Sequence, residues 1–186
     1  MKKTILIITA IISFSSLLKS EQIQVTEDMV LKAVQGWCDA LLAISKAGME
    51  GKDAKALAIE VLSTAYNYDN GKVLFKPTLA FGKQTFRLTK EGALAYFVGG
   101  NPDYPKDTGF ALKNWVQAKF DAADVITHGD IGIFMGNVYL TNDKGEQTMV
   151  DKTFVFKFNK EGKPVIIVHK SALPYTPPAD TELQTQ

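Results

Sequence analysis

The chain has little with which to build a metal centre or a disulfide. It carries one cysteine, Cys38, and two histidines, His128 and His169, with no His-x-His or Cys-x-x-Cys pair. The three or four ligands of a protein zinc site would therefore need borrowed carboxylates. A single thiol closes no internal bridge, so burial alone must stabilise the core. No glycine-rich loop precedes a helix, which removes the phosphate cradle of nucleotide-using enzymes. Ser171 follows Lys170 on a strand and not at a sharp strand-to-helix turn, so the hydrolase elbow is absent as well. Basic residues gather in no patch or stripe, which argues against a nucleic-acid partner. No apolar run reaches the roughly 20 residues of a membrane span.

What is present begins with a leader. Met1-Lys2-Lys3, the apolar stretch Thr4 to Ile12, and a polar end at Lys19-Ser20-Glu21 read as the three regions of a secretory signal. Cleavage is expected after Ser20. No cysteine stands at the cut for lipid attachment, so a periplasmic or secreted protein of a bacterial envelope is expected, with no membrane partner once the signal is gone. The full chain has 21 basic and 20 acidic residues. Losing Lys2, Lys3 and Lys19 leaves 18 against 20, about −2 for the mature form. The expected organisation is a signal peptide at 1–20, one domain at 21–175, and a disordered polar tail at 176–186 after Pro177-Pro178.

Within the domain, Val30, Val34, Trp37, Leu41 and Ile44 recur at spacings of four and three, marking one face of a helix that Thr26 and Asp28 start and Gly48 ends. Cys38 falls inside it as a packing residue. A second helix is expected from Lys52 to Thr64, packing through Ala56, Ile59, Val61 and Leu62. Tyr66 to Gly71 reads as a turn cluster, and Val73 to Pro77 as a short strand in which Pro77 implies an edge or a strand end. Thr89 opens a short helix through Ala95-Tyr96-Phe97 that stops at Gly99-Gly100. A loop from Asn101 to Gly109 follows. Four long strands come next, at 116–127, 132–141, 148–158 and 164–171, joined by glycine-containing turns. His128 sits in one of those turns. Phe154, Phe156 and Phe158 share one strand face; on the last strand, period two places Ile167, His169 and Ser171 together. Helices first and a strongly bent antiparallel sheet afterwards define an α+β domain.

This order resembles the cone-shaped fold of nuclear transport factor 2 and the SnoaL-like proteins (the NTF2-like fold), in which N-terminal helices pack on a strongly curved antiparallel sheet. Leu74-Phe75-Lys76-Pro77-Thr78, Ala95-Tyr96-Phe97 and His169-Lys170-Ser171-Ala172-Leu173-Pro174 are similar to the calmodulin-kinase association-domain-like branch, which includes the iota-class carbonic anhydrases. The closing segment of that branch is His-His-Ser-Ser; this chain has Lys170 and Ala172 at the second and fourth positions. A closer set of small exported bacterial proteins shares Val73 to Ala80 and Gly92 to Gly100. Some of that set carry a phosphoribosyl-AMP cyclohydrolase label, whose metal chemistry the scarce cysteine and histidine oppose.

The resemblance implies a carbon dioxide hydratase, a lyase, with Thr78, Tyr96, His169 and Ser171 as the catalytic set. Three hydroxyls would hold a water for attack on the gas, and His169, with an ordinary pKa near ~6.5, would assist proton removal. Trp37, Lys76, Phe154 and Phe156 are the expected pocket residues, the phenylalanines forming a dry wall and Lys76 attracting an anion. No cofactor is expected, with zinc or manganese left open. The ligand is carbon dioxide, bicarbonate or another small molecule, and the resemblance implies a homodimer formed through the open sheet face. The alternative is a non-catalytic ligand-binding or dimeric assembly module on the same fold, because this scaffold hosts many functions.

Overall fold

The computed structural model describes residues 23–177. The expected signal peptide lies outside the described residues, as does the expected tail beyond its first two. Helix α1 (Glu27–Met49) starts where the Thr26 hydroxyl accepts the Met29 N–H, and Glu27 and Asp28 place negative charge at its positive end. Its buried stripe holds Val30, Val34, Trp37, Cys38, Leu41 and Ile44. Burying each large apolar side chain contributes about 1.5–3 kcal/mol, so this stripe alone fixes how the helix lies.

Helix α2 (Ala54–Ala65) is capped by the Asp53 carboxylate on Ala56 N–H and buries Ala54, Ala58 and Leu62. Its packing face differs from the one expected through Ala56, Ile59, Val61 and Leu62, of which Leu62 alone is buried. Ala56 and Ile59 are exposed and Val61 is half-buried. Eight of its twelve residues are apolar or alanine, more than one face can hold, so periodicity did not single out the buried face. A short strand β1 (Leu74–Lys76) and helix α3 (Lys90–Val98, capped by Thr89) lead to the long strands β2 (Trp115–His128), β3 (Ile131–Asn142), β4 (Gln147–Phe158) and β5 (Pro164–Ala172). His128 thus ends a strand, with Gly129-Asp130 making the turn.

The five strands lie in the order β1-β5-β4-β3-β2. The sheet is mixed and open, not wholly antiparallel as expected. β1 runs parallel to β5, with Phe75 opposite His169 and Lys76 opposite Lys170, while the other pairs are antiparallel. Turn signals in a sequence join neighbouring strands and carry no trace of this long crossover.

Three register shifts interrupt the sheet. Two fall in β2, between Trp115 and Gln117 and between Ala122 and Asp124, and one where Val155 meets Val168 but Phe156 meets Ile166. The last is a bulge at Ile167, and it re-phases the strand. Ile166, and not Ile167, therefore shares the inner face with His169 and Ser171. Gly132 lies directly beneath Val30, so the absence of a side chain there lets α1 settle on the sheet. Among the described residues no helix is long and apolar enough to cross a membrane.

Candidate active site

The inner faces of β4 and β5 meet under α1 and α2. Period two on β4 turns Val150, Lys152, Phe154, Phe156 and Phe158 inward, and all five are buried. On β5 the inward residues are Ile166, His169 and Ser171. The end of β1 delivers Thr78, the end of α2 delivers Tyr66, and α3 delivers Tyr96.

These groups form one continuous polar chain through an aromatic core. The Trp37 indole N–H donates to the Tyr66 hydroxyl at 3.0 Å, and that hydroxyl lies 2.9 Å from His169 Nδ1. His169 Nε2 lies 3.0 Å from Lys152 Nζ, which donates to Ser171 Oγ at 3.2 Å. Ser171 Oγ and Thr78 Oγ1 are 2.6 Å apart. The Tyr96 hydroxyl accepts the Leu79 N–H at 3.4 Å. Lys76 Nζ donates to the Ser171 carbonyl at 2.9 Å and, at 3.4 Å, to the Thr78 carbonyl, tying the two strands that carry the hydroxyls.

The structure thus gathers Thr78, Ser171 and His169 in one buried cluster, with Tyr96 at its edge. The expected pocket residues divide. Phe75 stacks on the His169 ring with centroids 4.5 Å apart, and Phe154 packs against it at a tilt, also at 4.5 Å. Trp37 sits between the polar chain and a cleft of about 570 Å³ between α1, α2 and the β4–β5 end. Phe156 lines that cleft with Trp37; Lys76 does not, lying on the far side of the cluster. Neither Thr78 nor Ser171 faces the cleft.

Two members were missed from sequence, Lys152 and Tyr66. Lys152 was legible in principle, because it continues the Phe154/Phe156/Phe158 face by one step of two. Tyr66 looked like part of a turn. Lys152 is 2 % exposed, and its ammonium position lies over the Trp37 ring at 4.1 Å. Among the described residues it makes no ion pair with a carboxylate. Burial without a counter-charge drives its pKa from 10.5 down to about 7. His169 is pushed well below its ordinary value, by burial first and by Lys152 second. Burial raises Tyr66 well above its ordinary value and takes Tyr96 to about 12, partly offset by the Thr78 hydroxyl. The Cys38 thiol rises to about 11, again by burial, so it stays protonated and inert.

Ser45 on α1 and Arg87 are the other buried polar side chains among the described residues. Arg87 donates through Nη2 to both carboxylate oxygens of Asp107, at 2.9 and 3.0 Å, and stacks over Tyr104. That pair pins the 101–109 loop beside α3. Among the described residues no group of three or more histidine, cysteine, aspartate or glutamate side chains is placed to hold a metal.

Lys170 and Ala172, where the closing segment departs from His-His-Ser-Ser, point to the opposite face of β5. Lys170 is exposed and pairs with Asp151 at 2.6 Å. Both departures leave the inner face of the strand untouched.

Helices over an open, curved α+β sheet, with hydroxyls and an imidazole sealed between them, define an NTF2-like domain with a polar site in its core. A protein of the NTF2-like family from Streptomyces avermitilis has the same fold, with a TM-score of 0.50 at 14% identity over 80% of this chain and 96% of its own. The family description "Metal-independent carbonic anhydrase" matches residues 28–173, and the chain belongs to that family. A metal-independent carbonic anhydrase from Nostoc sp. (strain PCC 7120 / SAG 25.82 / UTEX 2576) is 48% identical over 153 residues, 81% of this chain and 75% of the relative. The crystal structure of a cyanobacterial iota-carbonic anhydrase complexed with bicarbonate superposes with a TM-score of 0.80 at 46% identity, covering 83% of this chain and 95% of that one.

Proposed function

We propose that this protein hydrates carbon dioxide to bicarbonate without a metal, at the buried cluster of Thr78, Ser171, Tyr96 and His169. The observation that carries the reading is the convergence of these four side chains from β1, β5 and α3 in a chain whose cyanobacterial relative was crystallised with bicarbonate. The Thr78 and Ser171 hydroxyls hold the attacking water, and Tyr96 donates to an oxygen of the gas as charge develops on it. Phe75 and Phe154 keep the surroundings dry, which strengthens each of these hydrogen bonds. His169 reaches the hydroxyls only through Lys152, so its part in proton removal is indirect.

An exported enzyme is the reading that the leader at 1–20 supports. A homodimer formed through the outer sheet face is supported by Val116, Ile126 and Met135, apolar side chains more than half exposed on that face.

The test is stopped-flow carbon dioxide hydration by the metal-stripped mature protein, beside Ser171→Ala, Tyr96→Phe and His169→Ala. Turnover in the parent that falls at least tenfold in Ser171→Ala and Tyr96→Phe supports the reading. A flat trace for the parent, stripped or supplemented with zinc or manganese, refutes it.

A further inference from the structure

The hydrogen bonds of the core, beginning at Trp37, fix a protonation state. An indole nitrogen only donates, so Trp37 occupies a lone pair on the Tyr66 oxygen. Among the described residues the Tyr66 hydroxyl meets one other partner, His169 Nδ1. Its own hydrogen must go there, because a stranded buried hydroxyl is costly. His169 Nδ1 is then an acceptor, and a neutral imidazole in that state carries its proton on Nε2. That proton points at Lys152 Nζ, 3.0 Å away. Only a neutral amine has a lone pair to receive it. The two hydrogens left on the amine are matched by Ser171 Oγ and the Trp37 ring face, so every donor is used once.

A charged Lys152 breaks this pattern. An ammonium must donate to Nε2, which sends the imidazole proton to Nδ1. The Tyr66 oxygen then faces two donors, and its own hydrogen has no acceptor. Charging the amine becomes favourable when an anion enters the cluster to face it.

We propose that Lys152 is the switchable charge of the site, taking up one proton when bicarbonate binds and losing it when bicarbonate leaves. The inference rests on the reading of the cluster as the bicarbonate site. In the gas-bound state the amine is neutral and the site suits an uncharged molecule. After hydration the product is an anion, and the ammonium holds it until the proton departs from Nζ. No covalent bond is made to the lysine: carbon dioxide, water and the neutral amine give bicarbonate and the ammonium. The proton of the attacking water passes by way of the Ser171 hydroxyl to the Nζ lone pair and leaves from there to solvent. Bicarbonate that binds from solution brings one proton with it from solvent.

The groups facing Nζ leave the lysine as the member that changes charge. Cys38 on α1 stays a thiol, and Tyr66 and Tyr96 stay phenols because burial raises all three. His169 on β5 is held neutral. Asp151, next to Lys152 in the chain, is paired with Lys170 on the outer face. Lys76 at the end of β1 is committed to two backbone carbonyls. The ease with which Lys152 itself loses its proton near neutral pH agrees with the geometry.

The experiment is calorimetric titration of the mature protein with bicarbonate from pH 7.5 to 9, in two buffers of different ionisation heat. The parent is expected to take up about one proton per bicarbonate, with affinity falling about tenfold per pH unit. Lys152→Met should bind without proton uptake and with a flat pH profile. Tyr66→Phe frees Nδ1 for a proton, so Nε2 can accept from an ammonium; its fall in affinity should begin at higher pH. Bicarbonate binding by the parent with no proton uptake overturns the assignment of Lys152 and leaves the hydratase reading standing. No binding by the parent at any pH refutes the bicarbonate site itself, and the switch falls with it.

Discussion

Replacing Lys152 by methionine should remove a pH dependence of stability that the parent carries between pH 7 and pH 9. In the unfolded chain the amine titrates near its ordinary 10.5, and in the folded protein at about 7. Below pH 7 both states hold the proton, and the folded state bears the whole difference, roughly 5 kcal/mol at about 1.4 kcal/mol per pH unit. Above pH 7 the folded amine is already neutral while the unfolded one still binds its proton. Stability therefore rises with pH, because the unfolded state is the one binding more protons. Integrated from pH 7 to pH 9, the gain is about 2 kcal/mol. Other groups act elsewhere or survive the substitution. His169, depressed from 6.5, weakens the fold only as pH drops below that value. Cys38, raised from 9.0, opposes the gain only as pH passes 9, and the raised tyrosines act higher still. Lys76 is lowered too and adds a slope of the same sign, but the variant keeps it. The measurement is urea unfolding of parent and Lys152→Met at pH 7, 8 and 9, read as midpoint and slope. Parallel stability curves for the two proteins would show that burial does not depress the amine.

Further outcomes are expected away from that residue. Gly36 lies mid-helix at the rim of the α1–α2 cleft with open space where a Cβ would go; Gly36→Ala should raise stability by about 0.5–1 kcal/mol in thermal unfolding. Gly132→Ala puts a methyl group into Val30 and should cost about 1–3 kcal/mol by urea denaturation. Asp107→Ala strands the buried Arg87 guanidinium and should cost about 3 kcal/mol or more, whereas an Arg87→Met/Asp107→Leu pair should recover most of it. Thr78→Val, which keeps shape and removes the hydroxyl facing Ser171, should lower kcat/KM for hydration at least tenfold in stopped flow.

The parts of the fold legible in sequence are those with a local period. Helix α1 declared itself through Val30, Val34, Trp37, Leu41 and Ile44 with Thr26 at its head. The three antiparallel connections followed from glycine turns. The pairing of His169 with Ser171 followed from strand alternation and survives the bulge, which falls before both. What escaped depends on residues distant in the chain. The β1–β5 pairing has no local signal, and the apolar residues of α2 are spread too widely round the helix to mark one face. Lys152 was passed over because a lysine on a strand reads as solvent-facing unless the whole strand face is followed inward. Tyr66 acquires its meaning only when Trp37 and His169 arrive from either side.

The parallel pairing of the first strand with the last has a consequence for how the molecule comes into being. The hydrogen bonds Tyr66–His169, Lys76–Ser171 and Thr78–Ser171 span 103, 95 and 93 residues. Contacts so far apart in the chain close late, because a large loop must lose its freedom before they form. Until β5 docks, neither His169 nor Ser171 is in place beside Lys152. The polar chain is therefore complete only when the last strand lies beside the first, because that pairing brings the lysine, the two hydroxyls and the aromatic walls together.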